Sequence, residues 1–481
     1  MGYTLPLPPF RHVSTLSVDE LIQVAARFIL ISDNLASPDP QFRDHWTLTL
    51  GDEEPSLPPI NVFGILPNGH YVLIMHEKGV FTLWDVRPTG PSGRRRLVAR
   101  HETSDETVSM EYTTEGDSGT CIIVAALSEE TAIPTIFVFQ FQLDFSTDES
   151  SHGVPRVIQS DLANYCIDHI GYFARIALQD GLCLAWYNSE EKVIASILDY
   201  RNSKRVDLET DITSTTSPDC CLYHGSLIFH HDKLTNAVVS AYFHITEHLK
   251  PVPNNSRLWD VDMISKAPDR SAVLPLHSPD SSSKANQEPN LVWNTIHPTN
   301  TPNANTLCGS PSIFATETMS PTTYGRIPHL SARWMEPQTT LEMLRTGANL
   351  DTPVFRTWID LEGPTAARDD GFEFLISTTC GLRMLWVTYA EADSDDLPIE
   401  EVLYLIPLLT PDERTRGHAG KRILRLPTDL FDILTMDFSD ESGTLVIASK
   451  SGDTSDERSS EVSQDSGTQL DVNQVLHIFQ Y

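Results

Sequence analysis

The sequence contains no run of about eighteen apolar residues, so no stretch of it is built to cross a bilayer as a helix. It is also short of positive charge: 34 lysines and arginines stand against 66 aspartates and glutamates, a net charge of −32. Duplex binding and attachment to anionic lipid both draw on excess basic side chains, so neither nucleic acid nor membrane is an expected partner. The seven cysteines (121, 166, 183, 220, 221, 308 and 380) are odd in number and show no C-x-x-C spacing, which predicts reduced thiols. Residues 1–11 are proline-rich without the apolar centre of a signal peptide, and Pro6 stands where a myristoylation motif takes serine or threonine. No glycine-rich phosphate loop or H-E-x-x-H occurs, so neither cofactor nor metal is expected. The expectation is a cytoplasmic or nuclear protein.

What the chain has in quantity is β-hairpins. Gly79-Val-Phe-Thr-Leu-Trp84 is echoed by Gly181-Leu-Cys-Leu-Ala-Trp186 and Gly381-Leu-Arg-Met-Leu-Trp386. Each copy follows a β-rich run, at 71–75, 173–178 and 372–379, and reads as strand, glycine turn, strand. The glycines lie 102 and 200 residues apart, which suits whole numbers of propeller blades of about 40–50 residues each. Weaker hairpins pair 121–126 with 136–141, 226–230 with 237–245, and 444–449 with 475–479. The reading is an all-β chain forming one β-propeller of about seven blades, within six to eight. Blades are expected near 60–100, 107–159, 163–199 and 211–246. A strand at 45–50 is expected to join the last blade and close the ring, which removes its open edge.

Before the blades, residues 16–21 start an amphipathic helix. Ser17 and Glu20 form a capping box, Leu16 and Leu21 a hydrophobic staple, and Leu21, Val24, Phe28, Ile31 and Leu35 one apolar stripe. The helix is expected to fade at residues 32–34 and to bury its stripe against the propeller rim. The expected domains are therefore 1–44, an extended lead-in with the helix, and 45–481, the propeller. Within the propeller, proline, serine and acidic stretches near 250–325 and 451–471 predict disordered insertion loops, the first holding one strand near 291–296 and room for a degenerate blade.

Motifs with catalytic associations have simpler structural readings. Gly116-Asp-Ser-Gly119 matches the string around a serine nucleophile but falls between two strands, where it is ordinary turn chemistry. His230 and His231 are adjacent on a strand and so face opposite ways, which suits no common metal site. Cys220-Cys221 precedes a strand and reads as buried thiols. Arg94–Arg96 and the basic residues at 414, 416, 421, 422 and 425 read as solvated loop and outer strand. The tryptophans at 84, 186 and 386 read as core. No catalytic residue is expected; the enzymatic alternative is a carboxylate-based propeller hydrolase acting on a glycan.

Trp84-Asp85, Trp259-Asp260 and Gly69-His70 resemble fragments of the WD-repeat signature. The combination of residues 16–21 with Ala25, Arg27 and Asn34, then Asn68–Leu73, Gly79–Asp85 and Asp437–Gly443, resembles fungal F-box proteins. In these a helix follows the F-box and leads into a divergent propeller. The F-box itself is absent ahead of Ser17. The resemblance implies a non-catalytic, monomeric, protein-binding propeller that recruits substrates for a ubiquitin ligase, with a cullin-ligase adaptor among its partners, or a plain scaffold.

Overall fold

The computed structural model describes residues 14, 16–37, 39–66, 69–88, 96–115, 120–128, 134–144, 156–166, 172–179, 181–188, 192–212, 219–223, 226–233, 237–252, 263–275, 312–322, 325–335, 356–362, 374–377, 383–390, 400–407, 422–424, 426, 430, 433–439, 442–450 and 474–481. In strand Tyr71–His76 every side chain is buried, on both faces of the sheet. A strand with two apolar faces needs a neighbour on each side, and a ring of upright sheets supplies both. Tyr71, Leu73 and Met75 accordingly pack toward the sheet that follows, and Val72 and Ile74 toward the sheet that closes the ring. The core is thus divided into apolar slabs between neighbouring blades.

Among the described residues, seven sheets form a β-propeller. Blade 1 is Ile60–Ile65, Tyr71–His76, Val80–Asp85 and Leu97–Glu102, each strand antiparallel to the next. Blade 2 is Thr107–Glu115, Cys121–Ser128, Thr135–Asp144 and Arg156–Cys166. Blade 3 is Tyr172–Gln179, Leu182–Asn188, Val193–Asp199 and Lys204–Thr210, with Lys250–Pro251 and Ile264–Lys266 added along its outer strand. Blade 4 is Asp219–Tyr223, Ser226–Lys233, Ala237–His244 and Arg270–Pro275. Blade 5 has three described strands, Ser312–Thr322, Gly325–Met335 and Arg356–Glu362. Blade 6 is Phe374–Ser377, Arg383–Ala390, Glu400–Pro407 and Arg422–Leu424. In blade 7, Ile433–Ser439, Thr444–Lys450 and Gln474–Gln480 are joined by Asp44–Thr49 as outer strand, in register from Asp44 opposite Gln480 to Thr49 opposite Val475. The first described strand thus completes the last blade. Asp44, counted with the lead-in from the sequence, belongs to this strand, and Leu50 begins a short helix, Leu50–Glu53.

Several sequence expectations need correction. The boundaries at 159/163 and 199/211 cut through outer strands: residues 163–166 finish blade 2, and Lys204–Thr210 belongs to blade 3. Arg156–Cys166 has no fully buried residue, and Lys204–Thr210 carries Lys204, Arg205, Asp207 and Glu209, so their signals are weak. Blade 4 does not end at 246, because its outer strand is Arg270–Pro275. The stretch read as an insertion loop therefore carries the strands at 250–251, 264–266, 270–275 and 312–322. The strand expected near 291–296 and the loop at 451–471 lie outside the described residues.

The helix α1, Val18–Ala36, runs past the residues where it was expected to fade. Ser17 Oγ accepts the Glu20 N–H at 3.3 Å, and the Glu20 carboxylate accepts the Ser17 N–H at 2.7 Å. Tertiary packing carries the far end: Ile31 and Leu35 are each 2% exposed, among Leu403, Leu405, Phe438, Leu445 and Tyr481 of blades 6 and 7. Beyond the helix the Asn34 amide donates to the Gln41 carbonyl and accepts the Gln41 N–H, fixing the turn into the closing strand.

Gly443 sits beneath this helix with φ +67°, and a Cβ there would lie 2.9 Å from Ile31 Cγ2. Gly443→Ala therefore combines backbone strain with pressure on the helix. The expected outcome is a loss of about 1–3 kcal/mol, read as a lowered urea midpoint. An unchanged midpoint would show that the helix is not seated on this turn.

Candidate binding face at the mouth of the channel

In a propeller the first strand of each blade is innermost, around the central channel, and these strands pack against one another in blades 7, 1, 2, 3 and 4. In three successive blades that strand begins with the same irregularity. Pairing steps from Ile433 to Thr435 in blade 7, from Ile60 to Val62 in blade 1 and from Thr107 to Ser109 in blade 2. The residue passed over is in each case the second of the strand: Leu434, Asn61 and Val108. Such bulges leave one residue unpaired and re-aim its side chain. All three are exposed, Leu434 at 38% and Val108 at 45%. Two apolar side chains flanking an amide are therefore presented at equivalent positions on neighbouring blades.

The frame behind them is fixed at several points. Asn61 donates from its side-chain amide to the Thr107 carbonyl at 3.4 Å, linking blades 1 and 2. At the far end of the strand, the Ile65 N–H donates to Asp437 Oδ2 of blade 7 at 2.7 Å, and its carbonyl accepts the Tyr112 hydroxyl of blade 2 at 2.9 Å. One backbone unit thus ties three blades. Gln474 of blade 7 accepts the Ile60 N–H and donates to the Pro58 carbonyl.

The rim outside the bulges comes from the Glu77–Gly79 turn and the link at 103–106. The Gly79 carbonyl accepts both the N–H of Thr103, at 2.9 Å, and its hydroxyl, at 3.1 Å. Gly79 itself has φ +68°, and a Cβ there would come 2.2 Å from Thr103 Oγ1 and 2.3 Å from the Asp105 carbonyl. Glu77, Asp105 and Glu106 outnumber Lys78 on this rim, in keeping with the chain's −32. Behind it, Trp84 Nε1 donates to Thr82 Oγ1 at 2.8 Å and the Thr82 hydroxyl meets His76 Nε2 at 2.7 Å. His76 Nδ1 then donates to the Pro58 carbonyl at 2.9 Å. Burial depresses His76 to a pKa of about 4, so the ring is neutral and completes the relay of donors.

The three glycine-to-tryptophan stretches do not occupy equivalent places. Gly79 lies between the second and third strands of blade 1, and Trp84 is on the third. Gly181 lies between the first and second strands of blade 3, and Trp186 is on the second. Trp386 is likewise on the second strand of blade 6. A glycine turn followed by an apolar strand reads alike at either hairpin, which is why the sequence groups them. Trp84 and Trp186 are core, at 0% and 3% exposure. Gly381, Trp259-Asp260, Gly116–Gly119 and Arg94-Arg95 lie outside the described residues. His230 and His231 are consecutive on the second strand of blade 4, Cys220 and Cys221 on its first. Gly69-His70 forms the first turn of blade 1, with His70 lowered to about 4 by burial and by Arg27 and Arg87. Among the described residues no three His, Cys, Asp or Glu side chains gather as metal ligands, and no helix is long and apolar enough to cross a membrane. The bulged trio was not singled out from the sequence.

No protein-family model matches the chain, and no curated protein matches its sequence. Among solved structures it is similar to the β-propeller domain of Cps50 (Swd1) from Myceliophteria thermophila, with a TM-score of 0.42, 8% identity, and 91% of this chain and 100% of that one covered. It is also similar to the WD40 domain of SCAP from fission yeast, with a TM-score of 0.37, 9% identity, and coverage of 88% and 84%. These are likenesses of fold alone.

Proposed function

We propose that the chain is a non-catalytic, protein-binding propeller that engages its partner at the mouth of the channel. The observation that carries this is the bulge repeated in blades 7, 1 and 2. It holds Leu434, Asn61 and Val108 exposed on a frame cross-linked through Ile65 and Gln474. Apolar side chains held out on a rigid support contact a partner at low ordering cost. The concrete version is substrate recognition for a ubiquitin ligase of the F-box type, with a cullin-ligase adaptor among the partners and the propeller monomeric in the cytoplasm or nucleus. It rests on the sequence resemblance and on the capped helix that precedes the blades.

The test is the double variant Val108→Glu/Leu434→Glu. Both positions are exposed, so stability is expected to stay within about 0.5 kcal/mol of the parent. Quantitative affinity purification from native cells is expected to show partners depleted tenfold or more with the variant. An unchanged set of partners would remove this face from the reading, and turnover of a glycan lost on substituting one Asp or Glu would replace it with the hydrolase.

A further inference from the structure

Helix α1 has two apolar faces, and the propeller uses one. Ile31 and Leu35 are buried against blades 6 and 7 and Val24 is also buried, whereas Val18 is 72% exposed, Ile22 61% and Ile29 56%. Leu30, 52% exposed, lies beside them, but the other three share one line with half-buried Ala25 and Ser32 and exposed Ala36. Val18, Ile22, Ala25, Ile29, Ser32 and Ala36 follow one another at intervals of 4, 3, 4, 3 and 4. That is the spacing of a coiled-coil seam, in which such positions face a second helix. The β-branched Ile22 and Ile29 alternate in it with the small Ala25 and Ser32, which leave room for close approach. An amphipathic helix serving only the propeller would carry polar residues here.

Charge beside the seam selects the occupant. One flank holds Leu35, buried against the propeller, with Leu21 and Phe28 half-buried, so a docked helix meets the other. That flank holds Asp19, Ala26 and Asp33, with both aspartates exposed. A second copy of this chain laid antiparallel would set Asp19 of one helix opposite Asp33 of the other at both ends. Like charges at those positions disfavour self-pairing, and opposite charges favour a partner. We propose that the outer face of α1 is a docking seam for an amphipathic helix of another protein whose apolar stripe is flanked by lysine or arginine. The seam lies apart from the channel mouth, so this inference does not rest on the function proposed for that face.

The test uses the full chain and two synthetic 21-residue helical peptides of one apolar heptad pattern, flanked by lysine in one and by glutamate in the other. The lysine peptide is expected to bind at least tenfold more tightly, and more weakly as salt rises. Ile22→Ser/Ile29→Ser is expected to weaken it a further tenfold or more, with an unchanged melting temperature because Val24, Ile31 and Leu35 are untouched. Asp19→Lys/Asp33→Lys is expected to reverse the preference between the peptides. Equal binding of both peptides, or of neither, overturns the proposal. So does a parent chain that runs as a dimer and becomes a monomer in Ile22→Ser/Ile29→Ser, since a second copy is then the occupant. Binding that appears only after residues 1–13 are deleted would make the chain's own leading segment the occupant, and would overturn it equally.

Discussion

Deleting Gln474–Tyr481 is expected to abolish folding altogether. These eight residues supply the strand that pairs with Thr444–Lys450 on one side and Asp44–Thr49 on the other, so their loss strands the outer strand and opens an edge. Leu476, Ile478, Phe479 and Tyr481 are at most 1% exposed and contribute to two slabs of the core, one shared with blade 1 and one with blade 6 and the helix. At about 1.5–3 kcal/mol for each such side chain, the apolar loss alone rivals the whole 5–15 kcal/mol stability of a typical domain. Gln474 also holds Ile60 and Pro58, so the first blade loses its anchor. The truncated chain is expected to lack a cooperative urea transition and to aggregate. Phe479→Ala, costing about 3–5 kcal/mol, is expected to remain folded with a lowered midpoint. A truncated chain that stays compact and melts cooperatively would mean that the ring does not depend on this closure.

The second large effect concerns Glu111, on the innermost strand of blade 2. Its register partner is Ala125, which packs in the slab between blades 2 and 3, together with Cys183. Desolvation there raises its pKa from 4.5 to about 8, so the folded protein holds it as the neutral acid at pH 7. The stability it contributes is complete below pH 4.5, where both states are protonated. It is lost as pH rises toward 8, because the unfolded chain gives up the proton first. Glu111 retains some contact with solvent, which limits the expected effect to about 3 kcal/mol. Glu111→Gln is therefore expected to match the parent near pH 4 and exceed it by about that amount at pH 8. His76 and His70 work in the opposite direction: each pKa is lowered to about 4, so their stability is lost as pH falls from 6.5. Between pH 5 and 7 Glu111 offsets part of this loss in the parent. Glu111→Gln is thus expected to expose an acid-side loss of about 2–4 kcal/mol by pH 5 that the parent partly conceals. Parallel urea series at pH 4, 5, 7 and 8 check this, and identical pH slopes in parent and variant would refute it.

What the sequence made legible was local. The capping box at Ser17 and Glu20, the run at 71–76 and the hairpin at 444–449 with 475–479 each signal within a few residues. The closing strand near 45–50 followed from the need to pair an edge. The outer strands were harder, since Arg156–Cys166 has no fully buried residue and resembles a polar connection. The bulges were invisible, because Asn61, Val108 and Leu434 are ordinary strand residues until their partners are known; register relates two strands and is a property of neither alone. The outer stripe of α1 was present in the sequence. Only the buried stripe was read, since a single apolar face suffices to explain a docked helix.

The closure in blade 7 also sets a schedule for synthesis. Ile60 and Gln474, hydrogen-bonded to each other, stand 414 residues apart. At about 5–20 residues per second a ribosome needs roughly 20–80 s to cover that distance. Throughout that interval the strand at 44–49 has left the ribosome while its partner does not yet exist. Early blades can form, but the ring stays an open chain of sheets with a sticky strand at its leading end. This protein is therefore most exposed to mispairing while it is being made, and a chaperone that shields that strand would act on the nascent chain.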